Sequence, residues 1–566
     1  MWRHGDPGGR VGTRGDAALA PLADGHGDHG GQCRADAVAA GGAVDGGVQF
    51  RDLQVELRGV GDPDPLGLGA DVGPLGPEGA RVVPDGAPVP AVGVEPDRAC
   101  QELHLGQLGR HGGGVEDLEV GEESRHAVGG ARRPPSGQPV ALVAQLADRT
   151  RRGVHRAFRY KSLDEFTTLP YGSFFFQELG NRALIAGSIG KDVFNDGFRI
   201  LASHIDSPRV DLKPKPLYED SDTGIALMKT QYYGGIKKYQ WVNVPLAFHG
   251  QVVLKSGEVI SIRLGDKRSE PVFVIPDLLP HLAKKQFKRE LIDGIEGEEM
   301  NLIVGISAGN AEKDPVKFNV LALLKQKYGI EEEDLASADL SLVPAFGPRY
   351  SGFDNSMIAG YGHDDRASAF TTFRALLENS GARYSSLAIF YDKEEIGGYG
   401  ISGSMSNMIE SVVHSILRKV GPDYSMTDFY RVLRNSRAIS ADVDSAMDPS
   451  FKDVHDDHNA ARMGKGIVIA KYTGYGGKYS GSEAPSEYVA HIRKVLSDKG
   501  VKYQFGTMGK VDEGGGGTVA QDIARYGIPV IDAGPPVLGM HSPFELVSKK
   551  DLYESYLAYL AFLTEV

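Results

Sequence analysis

Residues 386–397 read Ser386-Leu387-Ala388-Ile389-Phe390-Tyr391-Asp392-Lys393-Glu394-Glu395-Ile396-Gly397. The apolar first half predicts a buried strand, and the pair Gly397 and Gly398 predicts a turn after it. Glu394 and Glu395 therefore follow the carboxyl end of a strand, where open α/β sheets bind ligands. Neighbouring side chains on an extended backbone point opposite ways, so one glutamate can bind a metal while the other moves a proton. A solvated charged turn is the ordinary alternative.

The composition excludes several classes of protein. The chain has 566 residues, enough for several domains, and a formal net charge of −13, which argues against a nucleic-acid partner. No apolar run approaches the roughly 18 residues of a membrane-spanning helix, and the N-terminus lacks the apolar core of a secretory signal. The chain has only 2 cysteines, which argues against a disulfide framework. We therefore expect a cytoplasmic protein without a membrane partner.

The amino-terminal part of the chain differs in composition from the rest. Residues 1–150 contain no Lys, Ile, Asn or Tyr, and these types appear from Tyr160 and Lys161 onward. The missing types share A/T-rich codons. We therefore predict that residues 1–156 are an anomalous Gly/Pro/Arg-rich segment, either disordered or translated from the wrong frame. Neither alternative gives this segment a packed core or a catalytic role.

The remaining chain alternates between strand and helix patterns. Residues 157–240 contain strand patterns broken by glycines, and the pattern of strands and helices resumes over residues 346–566. Between them, residues 241–345 combine short strands with charged segments, which predicts an inserted β-rich domain. The predicted fold class is therefore α/β. The elements predicted after the insertion are helices over 366–377, 405–419 and 549–566 and strands over 387–391 and 438–443.

Acidic residues and histidines recur near the ends of predicted strands or on loops. They form five short sites: His204 with Asp206, Asp364-Asp365, Glu394-Glu395, Asp442 with Asp444, and His541. A pair of zinc-like ions needs nitrogen and oxygen ligands, and ions about 3.5–4 Å apart clamp both the attacking and the leaving group. Two His, a bridging Asp, a second Asp and a Glu meet that need, and a further Glu remains to accept a proton.

Each site also has an ordinary structural explanation. A histidine after a buried strand is often a core or capping residue, and aspartates at loops often form turns or helix N-caps. The alternatives, in chain order, are a core histidine at His204, a turn at Asp206, an N-cap at Asp364-Asp365, a solvated turn at Asp442 and a surface loop at His541. The spacing alone leaves both interpretations open.

Several motifs occur in an order that resembles the aspartyl aminopeptidase/aminopeptidase I family of metallopeptidases, and its bacterial members in particular. The similarity spans about residues 157–566 and none of residues 1–150. The motifs are Ala202-Ser203-His204-Ile205-Asp206-Ser207-Pro208-Arg209, Asp364-Asp365, Asp392-Lys393-Glu394-Glu395-Ile396-Gly397, Ser440-Ala441-Asp442, Lys510-Val511-Asp512-Glu513-Gly514-Gly515-Gly516-Gly517-Thr518 and Met540-His541-Ser542.

The resemblance implies a set of metal ligands. His204 and Asp442 would bind one divalent ion, Glu395 and His541 would bind the other, and Asp364 would bridge them. The ions would be Zn, with Co or Mn as alternatives that the same ligand types accept.

The resemblance also implies roles around the ligands. Glu394 would be the general base, and Asp206 would hydrogen-bond the ring of His204 and fix its tautomer. The peptide bond between Asp364 and Asp365 would be cis, and many relatives carry Asn where this chain has Asp365.

For the whole chain the resemblance implies a mixed β-sheet flanked by helices, with residues 241–345 as a dimerisation or lid domain. His281 would reach a neighbouring subunit's active site and contact the substrate or transition state there in trans; a surface histidine on a helix is the ordinary alternative. Dimers would assemble into a dodecamer. Family members carry helices before the first strand, and this chain has the anomalous segment there.

The predicted function is a metal-dependent aminopeptidase that removes an acidic or neutral N-terminal residue from peptide substrates. Acid-preferring relatives place a Lys directly after a short apolar run, whereas Ala470 holds that position here and Lys471 follows one place later. The alternatives are a related di-metal amidohydrolase or deacylase, and a non-catalytic self-assembling scaffold of the same fold.

Overall fold

The computed structural model describes residues 160–379, 381 and 383–565. The segment predicted over residues 1–156 lies outside them. The strands in the first half of this part are β1 Tyr160–Ser162, β2 Phe174–Leu179, β3 Ala183–Ser188, β4 Phe198–His204, β5 Arg209–Asp220, β6 Ile225–Tyr233, β7 Leu246–Val253, β8 Val259–Leu264, β9 Leu302–Gly305 and β10 Ala338–Pro344. Those in the second half are β11 Arg349–Ser351, β12 Met357–Gly360, β13 Ser385–Tyr391, β14 Arg437–Ser440, β15 Asp444–Ser445, β16 Ile467–Ala470, β17 Gly474–Tyr475, β18 Tyr503–Phe505, β19 Gly515–Gly516, β20 Val530–Gly534, β21 Pro536–Leu538 and β22 Glu545–Ser548.

The α-helices of the described chain are α1 Val193–Asp196, α2 Pro315–Tyr328, α3 His363–Glu378, α4 Met408–Val420, α5 Met426–Asn435, α6 Ser486–Asp498, α7 Ala520–Ala524 and α8 Lys549–Leu563. The predicted helices agree with α3, α4 and α8 within a few residues. None of the helices in the described part of the chain combines the length and the hydropathy that crossing a bilayer requires.

The largest sheet has nine strands in the order β1-β2-β3-β13-β4-β14-β20-β16-β18. Strand β13 pairs in parallel with β4 and antiparallel with β3, and β14 pairs in parallel with both β4 and β20. The sheet is therefore mixed, with a parallel centre. The predicted strand over 387–391 lies within β13, whereas β14 ends at Ser440, before the predicted limit at residue 443.

Burial explains why residues 385–391 form a central strand. All seven residues of β13 are buried, as the apolar run predicted, because helices cover both faces of the sheet. Leu387 and Ile389 pack into one core with α4 and α5. Ala388 and Phe390 face the opposite core, which α3, α6 and α8 complete. The predicted mixed sheet flanked by helices is confirmed.

A second sheet has six strands in the order β8-β7-β10-β5-β6-β9. It has a core of its own, which includes Val210, Trp241 and Leu342. This sheet begins at Arg209, earlier in the chain than the predicted boundary at residue 241, because β5 and β6 pair with β10 and β9 rather than with the large sheet. A third sheet, β11-β12-β22-β21-β15, and the pair β17-β19 complete the strand pairing of the described chain.

Candidate metal centre

The predicted acidic sites lie together at one edge of the large sheet. His204 is the last residue of β4, Glu394 and Glu395 follow β13, and Asp442 follows β14. These three strands are neighbours and run parallel, so their carboxyl ends meet at the same edge. Asp364, near the start of α3, and His541, after β21, approach that edge from outside the sheet.

Asp364 stands between the two histidines. Its Oδ1 lies 3.1 Å from Nε2 of His204, and its Oδ2 lies 3.1 Å from Nε2 of His541. Its peptide bond to Asp365 is cis. One carboxylate thus presents one oxygen to each imidazole, which is the arrangement that a ligand shared by two ions requires.

Each histidine has a further carboxylate beside it. Oδ1 of Asp442 lies 3.7 Å from Nε2 of His204, and Oε2 of Glu395 lies 3.4 Å from Nε2 of His541. Within each group of three residues, one ligand atom per residue lies within 4.8 Å of the others. The structure therefore brings together all five side chains predicted as ligands, in two groups that share Asp364.

The donor set fits zinc. Imidazole nitrogens and carboxylate oxygens are its usual ligands in catalytic sites. Oε1 of Glu395 is buried without a hydrogen-bond partner, and no lysine or arginine of the described chain forms an ion pair with Asp364, Glu395 or Asp442. Burying a carboxylate costs free energy unless a cation pairs with it, so this pocket favours the binding of cations.

The electrostatics of the site agree with that conclusion. Burial raises the pKa of Glu395 well above its ordinary value, and the nearby Asp364 carboxylate raises it further. Burial also raises the pKa of Asp442 well above the usual range. Burial opposes charge on His204, yet Asp206 and Asp364 raise the pKa of this imidazole well above its ordinary value. The pocket thus concentrates negative charge.

Asp206 forms contacts with three residues of the site, which are His204, Glu394 and Glu395. Its carboxylate accepts the backbone N–H groups of Glu394 and Glu395, each at 3.2 Å, and the Tyr233 hydroxyl at 2.7 Å. Nδ1 of His204 lies 3.0 Å from the Asp206 carbonyl oxygen and 3.4 Å from Oδ1 of its carboxylate. The backbone carbonyl is thus the nearer partner of the ring, while the carboxylate holds the glutamate pair.

Sequence analysis missed a second supporting carboxylate. Glu545, at the start of β22, is 1% exposed and accepts the backbone N–H groups of His541 at 2.8 Å and Asp364 at 3.3 Å. The carbonyl of Gly235 faces Nδ1 of His541 at 2.7 Å. In the sequence, Glu545 could have been noticed as a glutamate within a short apolar stretch. No local pattern marks Gly235.

His281 does not join the cluster within one chain. It lies on an exposed segment between β8 and β9, outside the two ligand groups of the described chain. Its predicted action in trans needs a second subunit and stays a prediction.

Two candidate ligand groups that share one carboxylate, at the strand ends of a mixed α/β sheet, form an arrangement suited to a zinc-dependent hydrolase. The sequence model of the aminopeptidase I zinc metalloprotease (M18) family matches residues 136–563. The prediction that the similarity includes none of residues 1–150 was wrong, because the match begins before residue 150. The chain belongs to this family. It is a zinc metallo-aminopeptidase, as predicted.

Curated relatives and solved structures agree with this assignment. The probable M18 family aminopeptidase 1 of Thermotoga maritima is 46% identical over 405 residues, 71% of this chain and 88% of the relative. The one from Clostridium acetobutylicum is 45% identical over 399 residues, 70% and 85% of the two chains.

Among solved structures, the T. maritima M18 aminopeptidase has a TM-score of 0.71 at 43% identity, covering 75% of this chain and 92% of its own. The S. cerevisiae mApe1 dodecamer has a TM-score of 0.60 at 22% identity, covering 75% and 92%, and shows the common fold alone.

Proposed function

We propose that His204 and Asp442 hold one zinc ion, that Glu395 and His541 hold the other, and that Asp364 bridges them. The assignment rests on the position of the Asp364 carboxylate, whose two oxygens each lie 3.1 Å from a different imidazole. When bound, zinc supplies a Lewis acid that polarises the scissile carbonyl and lowers the pKa of a water molecule.

Glu394 is the general base of this proposal. Its Oε2 lies 3.8 Å from Nε2 of His204, and its side chain is 18% exposed, so it borders the ligand cluster and stays partly accessible to solvent. Burial raises its pKa to about 7, near the pH at which a proton acceptor works best. Glu394 takes a proton from the attacking water at a carboxylate oxygen and passes it to the leaving amine. Asp206 fixes the position of Glu394 through its backbone N–H.

Zinc removal tests the assignment of two ions. We expect dialysis against a chelator to abolish hydrolysis of amino-acid anilides and zinc to restore it, with two zinc ions per chain at full activity. Metal analysis of the dialysed and reloaded protein, alongside the rate, checks this. Full activity at one ion per chain would contradict the bridging role of Asp364, because a single ion needs no shared carboxylate.

The segment between β8 and β9 supplies a surface for self-association in this proposal. Large apolar side chains between 69% and 72% exposed occur in this segment and just after β9; they are Leu282, Phe287, Leu291, Ile292 and Ile306. Exposed apolar patches of this kind mark protein interfaces. A second copy of the chain is the proposed occupant, and mApe1, which shares the fold, is a dodecamer. His281 lies in the same segment and would enter the neighbouring site.

Mixing inactive chains tests His281 in trans. We expect His281→Ala and Glu394→Gln each to lower activity, and co-expression of both variants to restore part of it. In a mixed assembly, the Glu394→Gln chain can supply its intact His281 to the active site of a neighbouring His281→Ala chain, which has an intact Glu394. Co-expressed Asp364→Asn and Glu394→Gln form the control, because both changes damage the chain's own site and no recovery is expected. Equal rates for the two mixtures would rule out action in trans.

A further inference from the structure

A cavity opens directly beside the metal centre. Asp442 belongs to both, and beyond it the cavity has apolar walls that include Val468, Ala470 and Met508. On the proposed function, on which this inference rests, the scissile bond lies at the metal centre. The cavity is then where the side chain of the substrate's N-terminal residue extends.

Two buried carboxylates line the cavity. Asp444 is 9% exposed and Asp532 is 5% exposed. One oxygen of Asp444 accepts the backbone N–H of Ser445 at 2.7 Å, and one oxygen of Asp532 accepts the Thr518 hydroxyl at 2.6 Å. Neither carboxylate forms an ion pair with a lysine or arginine of the described chain. Two buried acids without a counter-charge favour a cation brought in by the ligand.

The cations near the cavity are directed elsewhere. Lys510 is the lysine among the lining residues, and its ammonium donates to the backbone carbonyl of Asp453. Ala470 lines the cavity, whereas the next residue, Lys471, pairs with Glu483 at 3.8 Å. The one ammonium group among the lining residues is therefore already hydrogen-bonded to the backbone.

We propose that this cavity selects substrates with a basic N-terminal residue, Lys or Arg. The methylene stem of such a side chain lies along Val468, Ala470 and Met508, and its charged end reaches Asp444, with Asp532 nearby. Long basic side chains bury their stems and keep the charged group with polar partners, which matches apolar walls that carry acids. The sequence, in contrast, predicted an acidic or neutral preference.

Substrates that differ only in charge test the proposal without changing the protein. We expect kcat/KM for an N-terminal Lys anilide to exceed that for the Nε-acetyl-lysine and norleucine anilides by about 10- to 100-fold, since hydrogen bonds to charged groups dominate such differences. An N-terminal Asp anilide should be the poorest substrate. Equal rates for Lys and norleucine, or faster cleavage of Asp, would overturn the proposal.

A variant locates the effect. Asp444→Asn should lower the ratio of kcat/KM for Lys over norleucine by about 10- to 100-fold. Asp457→Asn is the matched control, since this aspartate lies outside the cavity lining with a side chain 83% exposed, and the ratio should stay unchanged. An unchanged ratio in Asp444→Asn would refute the assignment. If zinc-loaded protein cleaves norleucine but shows no preference for Lys, only this inference fails; if it cleaves no anilide, the proposed function fails as well.

Discussion

Glu394→Gln is expected to lower kcat by about 10²- to 10⁴-fold, the range that a positioned general base contributes. Glutamine keeps the size of the side chain but cannot accept the proton of the attacking water. Glu394 is not one of the proposed ligands, so the zinc content should stay at the wild-type value. Rates with a neutral anilide and metal analysis of the same preparation measure the two quantities.

Glu178→Gln is the matched control for this change, because Glu178 is an exposed glutamate of β2. It should alter neither the rate nor the zinc content. A Glu394→Gln enzyme with wild-type kcat would remove Glu394 from the proton transfer. A loss of zinc in that variant would instead make Glu394 a ligand.

Asp364→Asn is expected to lower both the zinc content and the activity. The loss of activity should exceed the roughly 100-fold that follows from mutating a residue that only contacts a metal ligand. Asparagine has one side-chain oxygen, because an NH₂ group replaces the other carboxylate oxygen. It can therefore supply a ligand atom beside His204 or beside His541, but not beside both. The variant should therefore lose the ability to hold both ions. Metal titration followed by calorimetry, together with kcat/KM, checks this.

Asp365→Asn is the control, because it changes the adjacent carboxylate and leaves the bridge intact. Oδ2 of Asp365 accepts the backbone N–H of His204 at 3.2 Å, and an amide oxygen can accept the same bond. Burial raises the pKa of Asp365 well above its usual value, so asparagine resembles the protonated form that this position favours. If Asp365→Asn lost as much zinc as Asp364→Asn, the assignment of the bridge to Asp364 would be wrong.

The central strand of the large sheet could be predicted from local pattern. The apolar run before Tyr391 is long enough for one strand, and β13 with its two covered faces confirms it. The turn after it places Glu394 and Glu395 at the strand end because glycines there adopt positive φ, 94° at Gly397 and 73° at Gly398. A strand and the turn that ends it involve contacts between near neighbours in sequence.

The second sheet was harder to predict. Strands β5 and β6 directly follow β4 of the large sheet in the chain, and a local strand pattern does not say which sheet a strand joins. Their partners β10 and β9 come much later in the chain. Which sheet a strand joins depends on competition between distant partners for burial, and a local pattern does not contain that information.

For the metal centre, the sequence by itself determined the chemical types of the ligands and their positions after strands, through apolar runs that end in acids or histidine. Only the tertiary structure decided that the oxygens of Asp364 face different histidines, that Glu545 holds His541 and Asp364 by their backbones, and that Asp444 and Asp532 share a cavity with Asp442. The physical reason is the distance along the chain over which each kind of interaction acts. Periodicity and turn chemistry act over a few residues, whereas these contacts join side chains and backbone groups from elements that are far apart in the chain.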